Sequence, residues 1–258
     1  MIGKAKSISH ISNAVNYARN KIKAEEICRN RLVGETGTEI AKEFRVFRNL
    51  NARCQRNSFS FVLSPTIEDG TRLTKSDFIK ISAQFLSQMN LADHQSISFV
   101  HKDRNHTHLH IFVNRINTEG KARKDNYIGK KAQRVAERIA REMNLTTARQ
   151  VQLAKENRLR RIIIQAHDKI LPLKPGDIFE YARLMEQEGV TTHLKQASNG
   201  KVVGLKFQVG KESIKASSVH RALSAANLQK LIRQNLRIAK SQKRKQQNIP
   251  DKKRGFRL

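Results

Sequence analysis

The sequence predicts an α+β protein: a central antiparallel β-sheet of about five strands flanked by helices, then a helical C-terminal region and a basic tail. Three observations predict it. Segments with two-residue alternation and β-forming side chains recur at 58–64, 95–100 and 109–113. Only the short polar stretch from His101 to Thr107 separates the last two, so they pair as antiparallel neighbours. Elsewhere apolar residues recur at helical spacing.

Taken in order, residues 13–30 read as a helix, with Val15, Ala18, Ile22 and Ile27 on one stripe and Gly34 and Gly37 breaking it. A second helix spans 38–52 through Ile40, Phe44, Phe47 and Leu50. The strand at 58–64 ends at Pro65, and Gly70 marks a turn. Thr74, with Asp77 three residues on, starts a helix carrying Phe78, Ile81, Phe85, Leu86 and Met89. After the two paired strands the chain is helical from Gly129 to about Leu171, with a break near 144–147, and Pro172 and Pro175-Gly176 close that region. A helix at 177–188 ends at Gly189, and 190–195 with 202–209 form a hairpin about Asn199-Gly200, completing the five strands. Residues 1–232 are expected to make one domain. Residues 233–258, almost all Lys, Arg, Gln and Asn toward the end, are expected to be a frayed helix or a flexible arm.

Composition narrows the function classes. Hydrophobic residues are 38% of 258, enough for a core, while 51 Lys and Arg against 22 Asp and Glu give a net charge of +29. Such an excess implies a polyanionic partner, because each neutralised phosphate releases condensed counterions. Charge alone also suits ribosomal and membrane-surface proteins. The longest apolar runs, such as Ile162-Ile163-Ile164, are far too short to span a bilayer, and residues 1–10 lack the apolar core of a secretory signal. Cys28 and Cys54 stand apart with no CxxC spacing, which excludes a thiolate zinc site and fits a reducing compartment such as the cytoplasm.

The segment His101-Lys102-Asp103-Arg104-Asn105-His106-Thr107-His108-Leu109-His110 holds four of the nine histidines. Along a strand, residues i and i+2 share a face, so His108 and His110 point together while Leu109 serves the core. His101, ending the neighbouring strand, can join them, and three imidazoles with open coordination positions suit a catalytic divalent cation. His106 has the same parity but sits in the loop. Asp103 fits either a group orienting a histidine or a plain turn residue.

That segment, His101-x-Asp103-x-x-His106-x-His108-x-His110-x-x-x-Asn114, resembles the third motif of the plasmid mobilisation relaxases, the MobA/VirD2-like family of the HUH endonuclease superfamily. Asn16-Tyr17 with Lys23-Ala24-Glu25 is similar to that family's nucleophile helix, and Leu63-Ser64-Pro65 to the end of its first core strand. Asn114-Arg115-Ile116-Asn117 with Gly120-Lys121 continues the motif, and Gly204-Leu205-Lys206-Phe207 with Ile214-Lys215-Ala216-Ser217 resembles the closing hairpin of the nuclease domain. One departure stands out: many relatives carry a histidine where this chain has Asn57.

The resemblance implies a palm-like relaxase fold over 1–232 and a metal held by His101, His108 and His110. Magnesium or manganese is the expected ion, and zinc, cobalt or nickel would also suit three imidazoles. It further implies that Tyr17 attacks a scissile phosphate, leaving a 3′-hydroxyl and a 5′-phosphotyrosyl link. Of the other tyrosines, Tyr181 reads as core, and Tyr127, in a polar loop, could stack a base; ordinary packing competes for Tyr17 as well. Asp103, His106 or a hydroxide on the metal are the proton acceptors left open. Phosphate contacts are expected from Lys21, Lys23, Arg104, Arg115, Lys121, Arg123 and Lys124, with 115–130 as a groove wall beside the metal. Lys155 to Arg161 and Lys240 to Arg257 are expected to add nonspecific duplex affinity. The implied substrate is single-stranded DNA at an origin of transfer. An accessory mobilisation protein and a type IV coupling protein are the implied partners, in a bacterial cytoplasm. Competing readings are a rolling-circle replication initiator or HUH transposase, which usually place the tyrosine after the histidines, and a zinc-stabilised nucleic-acid-binding protein without enzymatic activity.

Overall fold

The computed structural model describes residues 1–103 and 106–247. The chain divides into two compact units, Met1–Val151 and Gln152–Leu258, so a boundary falls inside the segment read from sequence as one domain.

The first unit runs β1 (Ile2–Ile8), α1 (Ile11–Arg19), β2 (Ala24–Asn30), α2 (Gly37–Arg48), β3 (Ser58–Ser64), α3 (Ile67–Arg72), α4 (Lys75–Gln88), β4 (Ser96–Asp103), β5 (His106–Asn114) and α5 (Ile128–Glu142). Its strands form one antiparallel sheet in the order β1-β3-β5-β4-β2. The α+β class with five antiparallel strands is therefore what the sequence predicted, but two of the strands are different ones. Edges β1 and β2 replace the C-terminal hairpin, which lies in the other unit.

Both missed strands are edges with little apolar signal. In β1, Gly3 faces α5 so closely that a Cβ there would lie 2.7 Å from the carbonyl oxygen of Ala132. Small residues must therefore alternate with the exposed Lys4 and Lys6, hiding the usual period. In β2 only Ile27 is buried, and a register shift between Glu26 and Cys28 breaks the alternation. The helix expected over 13–30 ends at Arg19. Lys23, at φ 61, turns the chain back so that Ala24 pairs with His101.

The sheet has two unlike faces. One carries Phe59, Phe61, Leu63, Leu109, Ile111 and Val113 and is closed by α4 and α5 through Phe78, Ile81, Phe85, Ala136 and Ile139. On the other, Ile97, Phe99 and Phe112 pack beneath Ile11, Val15 and Ala18 of α1 and Ile40 and Phe44 of α2. The remainder of that second face is largely polar, with Ile2, Ile8 and Val62 as its apolar members. Register places Lys4, Lys6, Ser60, Val62, Ser64, His101, His108 and His110 on it.

Helices α1 and α2 are locked together at Gly37. A Cβ at Gly37 would collide with the carbonyl oxygen of Ser12, and the Gly37 N–H donates to Asn16 Oδ1 at 2.8 Å. Thr36 and Glu39 cap α2 reciprocally, and Thr74 with Asp77 does the same for α4, as its sequence predicted. Asp69, buried in α3, accepts from Thr66 Oγ1 at 2.8 Å, the Thr146 N–H at 2.8 Å and Arg72 at 2.6 Å. Burial pushes its carboxyl up, but these three donors together hold it below the ordinary value.

The long α6 (Ala148–Ile170) leads into the second unit, which continues with α7 (Ile178–Gln187), β6 (Thr191–Gln196), β7 (Val202–Val209), β8 (Glu212–Lys215), α8 (Ala216–Val219) and α9 (Ala225–Gln247). Its three strands form a separate antiparallel sheet, β6-β7-β8, with Gly200 at φ +76 in the first turn. Leu159, Ile163, Tyr181, Met185, Phe207, Leu228 and Ile232 lie in its core. The segment expected as a basic tail is helical as far as Gln247, and 248–258 lies outside the described residues. No helix among the described residues is long and apolar enough to cross a membrane.

Two outcomes test this packing. Gly37→Ala should cost about 1–3 kcal/mol by overpacking the α1–α2 contact, measured by denaturant unfolding; an unchanged midpoint would show that the helices separate freely. Asp69→Asn should destabilise by roughly 1–3 kcal/mol at neutral pH. Because the folded carboxyl is held low, its contribution is present above the ordinary carboxylate pKa of about 3.9 and is lost as pH falls through the lower folded value. The wild-type–variant difference should shrink in that acid window.

Candidate active site

The paired strands β4 and β5 set the site. His101 lies directly opposite His108, and Phe99 opposite His110, so three histidines share the half-open face. The His101 and His110 rings are 4.3 Å apart at their centroids, and His108 and His110 are 6.4 Å apart. Burial grades along this row: His101 is fully buried, while His108 and His110 are half-buried.

Two hydrogen bonds fix the imidazoles. His101 Nε2 is 2.6 Å from the carbonyl oxygen of Ala18, which can only accept, so Nε2 carries a proton. His108 Nδ1 is 2.8 Å from Ser64 Oγ on β3. Such outer contacts set ring orientation and tautomer in metal sites. Three imidazoles on one sheet face make a donor set suited to a divalent cation of borderline softness. Even so, among the described residues no three His, Cys, Asp or Glu side chains are gathered as a formed metal cage. The backbone of Asp103 ends β4 opposite His106; the Asp103 side chain and Arg104 lie outside what is described. His106 is exposed, its ring parallel to that of His108 at 6.1 Å.

Helix α1 carries Tyr17, next in sequence to the residue whose carbonyl holds His101. Ala18, whose carbonyl holds His101, is buried, whereas Tyr17 beside it is 64% exposed. Lys21 Nζ stands 5.6 Å from the centroid of the Tyr17 ring, and Lys23 is exposed in the following turn. The other tyrosines are placed differently. Tyr181 is fully buried in the second unit, bonded to His167 at 3.0 Å, and burial pushes its phenol well up. Tyr127 is exposed at the start of α5 in a left-handed conformation, with Lys130 Nζ 5.3 Å from its ring centroid.

The remaining sequence-chosen residues are not beside the histidines. Asn114 closes the far end of β5, fully buried. Its amide donates to the Phe44 carbonyl and to Gln95, and its oxygen accepts from the Ile116 N–H, so it anchors loops. Arg115 is tied to Asp125 at 2.8 Å and to the carbonyls of Arg123 and Arg56, a clamp across the loop. Lys121 pairs with Glu119, and Lys121, Arg123 and Lys124 border an open depression of about 680 Å³ that includes His94 and Asn117. These residues follow the end of β5 that is six positions past His108, so the groove wall expected beside the metal lies at the other end of the strand. The physical reason is strand direction: β5 carries the chain away from the histidines. In the second unit, Lys155 and Arg158 both pair with Glu212, and Arg160 pairs with Glu156, which reduces the open charge expected on α6.

Sequence reading missed Ser64, which orients His108, and Lys4 and Lys6, which stand exposed on the histidine face. The Lys-Ala-Lys alternation at 4–6 was the available signal.

A family model described as Relaxase: MobA/VirD2-like, nuclease domain, matches residues 15–145, just over half of the chain. No curated protein and no solved structure matches. The matched span contains Tyr17 on α1, both histidine strands and the serine that holds His108, and the chain belongs to the MobA/VirD2-like relaxase family.

Proposed function

We propose that this relaxase nicks one DNA strand at an origin of transfer, with Tyr17 as nucleophile, and holds the cut end for later religation. Membership of the family makes the chain a DNA nuclease. The observation that carries the finer reading is the 2.6 Å bond between His101 and the Ala18 carbonyl, which ties the tyrosine helix to the histidine strands.

The chemistry follows from the chain's own groups. The Tyr17 oxygen attacks phosphorus, the bond from phosphorus to the 3′ oxygen breaks, and that oxygen leaves as a 3′-hydroxyl after taking a proton. The phenol proton passes to a nearby base, for which exposed His106 is suited; Asp103 is the alternative. Because one phosphodiester replaces another, the bond energy is kept and the step can run backward. A divalent cation, magnesium or manganese by preference, would be held by His101, His108 and His110 and would neutralise charge on the scissile phosphate. Lys4, Lys6, Lys21 and Lys23 offer cations to the strand on this side of the sheet. An accessory mobilisation protein, a coupling protein and a bacterial cytoplasmic setting belong to the same proposal. The position of the tyrosine, ahead of the histidines, favours it over a replication initiator or transposase.

The test is incubation of supercoiled origin plasmid with protein and magnesium, followed by detergent and protease. Nicked circles blocked at the 5′ end are expected. Tyr17→Phe should lower adduct formation by roughly three orders of magnitude or more while DNA affinity stays within about twofold. Persistent adducts in that variant would move the nucleophile to Tyr127. His108→Ala should abolish magnesium-dependent nicking; activity with unchanged metal dependence would remove the histidines from the site.

A further inference from the structure

The second unit lies wholly beyond the span matched by the family, and its sheet has an unused face. One side of β6-β7-β8 is core, through Leu205, Phe207 and Ile214. Register assigns the opposite side to Thr191, His193 and Lys195 on β6, Gly204, Lys206 and Gln208 on β7, and Ser213 and Lys215 on β8. His193, Lys206 and Lys215 stand abreast across the three strands. His193, Lys195, Lys206, Ser213 and Lys215 are exposed, and a shallow depression of about 450 Å³ runs among the three lysines.

Lys206 directly opposite Lys215 destabilises a sheet by repulsion. None of the three lysines forms an ion pair among the described residues, and the face carries no acidic side chain. The contrast is Glu212, at the start of β8, which takes up Lys155 and Arg158 from α6 instead. Unneutralised like charges held side by side on a rigid sheet call for an external polyanion.

The chemistry of the face selects which one. Exposed Ser213 adds a hydroxyl of the kind that meets phosphate oxygens, while Thr191 donates to Glu186 and Gln208 to the Gly210 carbonyl. The face carries no Phe, Tyr or Trp and one ring only, His193, so the succession of stacking platforms used for single strands is missing. Val203 is the exposed apolar side chain beside the depression, well short of the broad Trp, Phe and Leu surface that enters a lipid interface. We propose that the second unit is a distinct DNA-binding module whose open sheet grips duplex backbone phosphates through Lys195, Lys206 and Lys215, independently of base sequence. This extends the relaxase reading, in that it takes DNA as the substrate, but it assigns a site outside the nicking centre.

The full chain carrying Lys195→Gln, Lys206→Gln and Lys215→Gln tests it. All three lie on the solvent side of the sheet, so the fold should persist, as circular dichroism would verify. Binding to a random-sequence 20-base-pair duplex should weaken at least tenfold at moderate salt. The slope of log affinity against log salt should fall by about 2–3, the value for three lost phosphate contacts. Nicking of a short single-stranded origin oligonucleotide should be unchanged, which separates failure of this proposal from failure of the relaxase reading. The triple Lys→Arg variant should keep both affinity and slope. A comparison protein with Lys42→Gln, Lys80→Gln and Lys174→Gln has the same net charge. An equal loss in that protein, or an unchanged slope in the sheet variant, would overturn the proposal. So would affinity for phosphatidylserine vesicles lost in the sheet variant while duplex affinity stays intact.

Discussion

The architecture of the first unit turns on where α1 rests on the sheet. Its buried side, Ile11, Val15 and Ala18, packs on Phe99 and Phe112 and covers only part of the second face. At the margin of that cover the Ala18 carbonyl meets buried His101. A net hydrogen bond of this kind contributes only about 0.5–1.5 kcal/mol, but a buried donor left without it costs about 1–3 kcal/mol. The asymmetry holds the helix in register with β4. Tyr17, one residue earlier on the same helix, is exposed.

The same economy explains the rest of the site. Ser64 orients His108 from β3, so three successive strands contribute to one row: Ser64, His108 and His101. The helices α4 and α5 press on the opposite face, and Gly3 and Ala132 let β1 and α5 approach within contact distance. One face is thus rigid core, and the part of the other left uncovered by α1 and α2 is open and largely polar, the arrangement a nuclease needs to hold reactive groups against a large substrate.

Net charge of +29 gives the partner class but no location. Many of the cations are structural. Arg115 closes a loop on Asp125, Arg29 pairs with Glu26 at 2.6 Å, and Arg72 neutralises buried Asp69. Those left open by their position in the sheet, Lys4 and Lys6 in one unit and Lys195, Lys206 and Lys215 in the other, are not the ones that local sequence density singles out. Lysines that alternate with small or apolar residues look unremarkable in a list, and only the register brings them abreast.

The sequence by itself determined the central elements and the donor set. Period-two alternation marked β3, β4 and β5; Thr74 and Asp77 marked the start of α4; and the His-x-His spacing put His108 and His110 on one face, because those are local rules of backbone geometry. Tertiary structure decided the rest. Which strands complete the sheet depended on long-range pairing: β1 and β2, poor in apolar residues, are strands because β3 and β4 offer them hydrogen bonds, and the apparent helix over 13–30 gives way after Arg19 for that reason. The direction of β5 carried Arg115 to Lys124 away from the histidines. Burial made Asn114 and Arg115 structural. No local pattern encodes such facts, since each depends on partners distant along the chain.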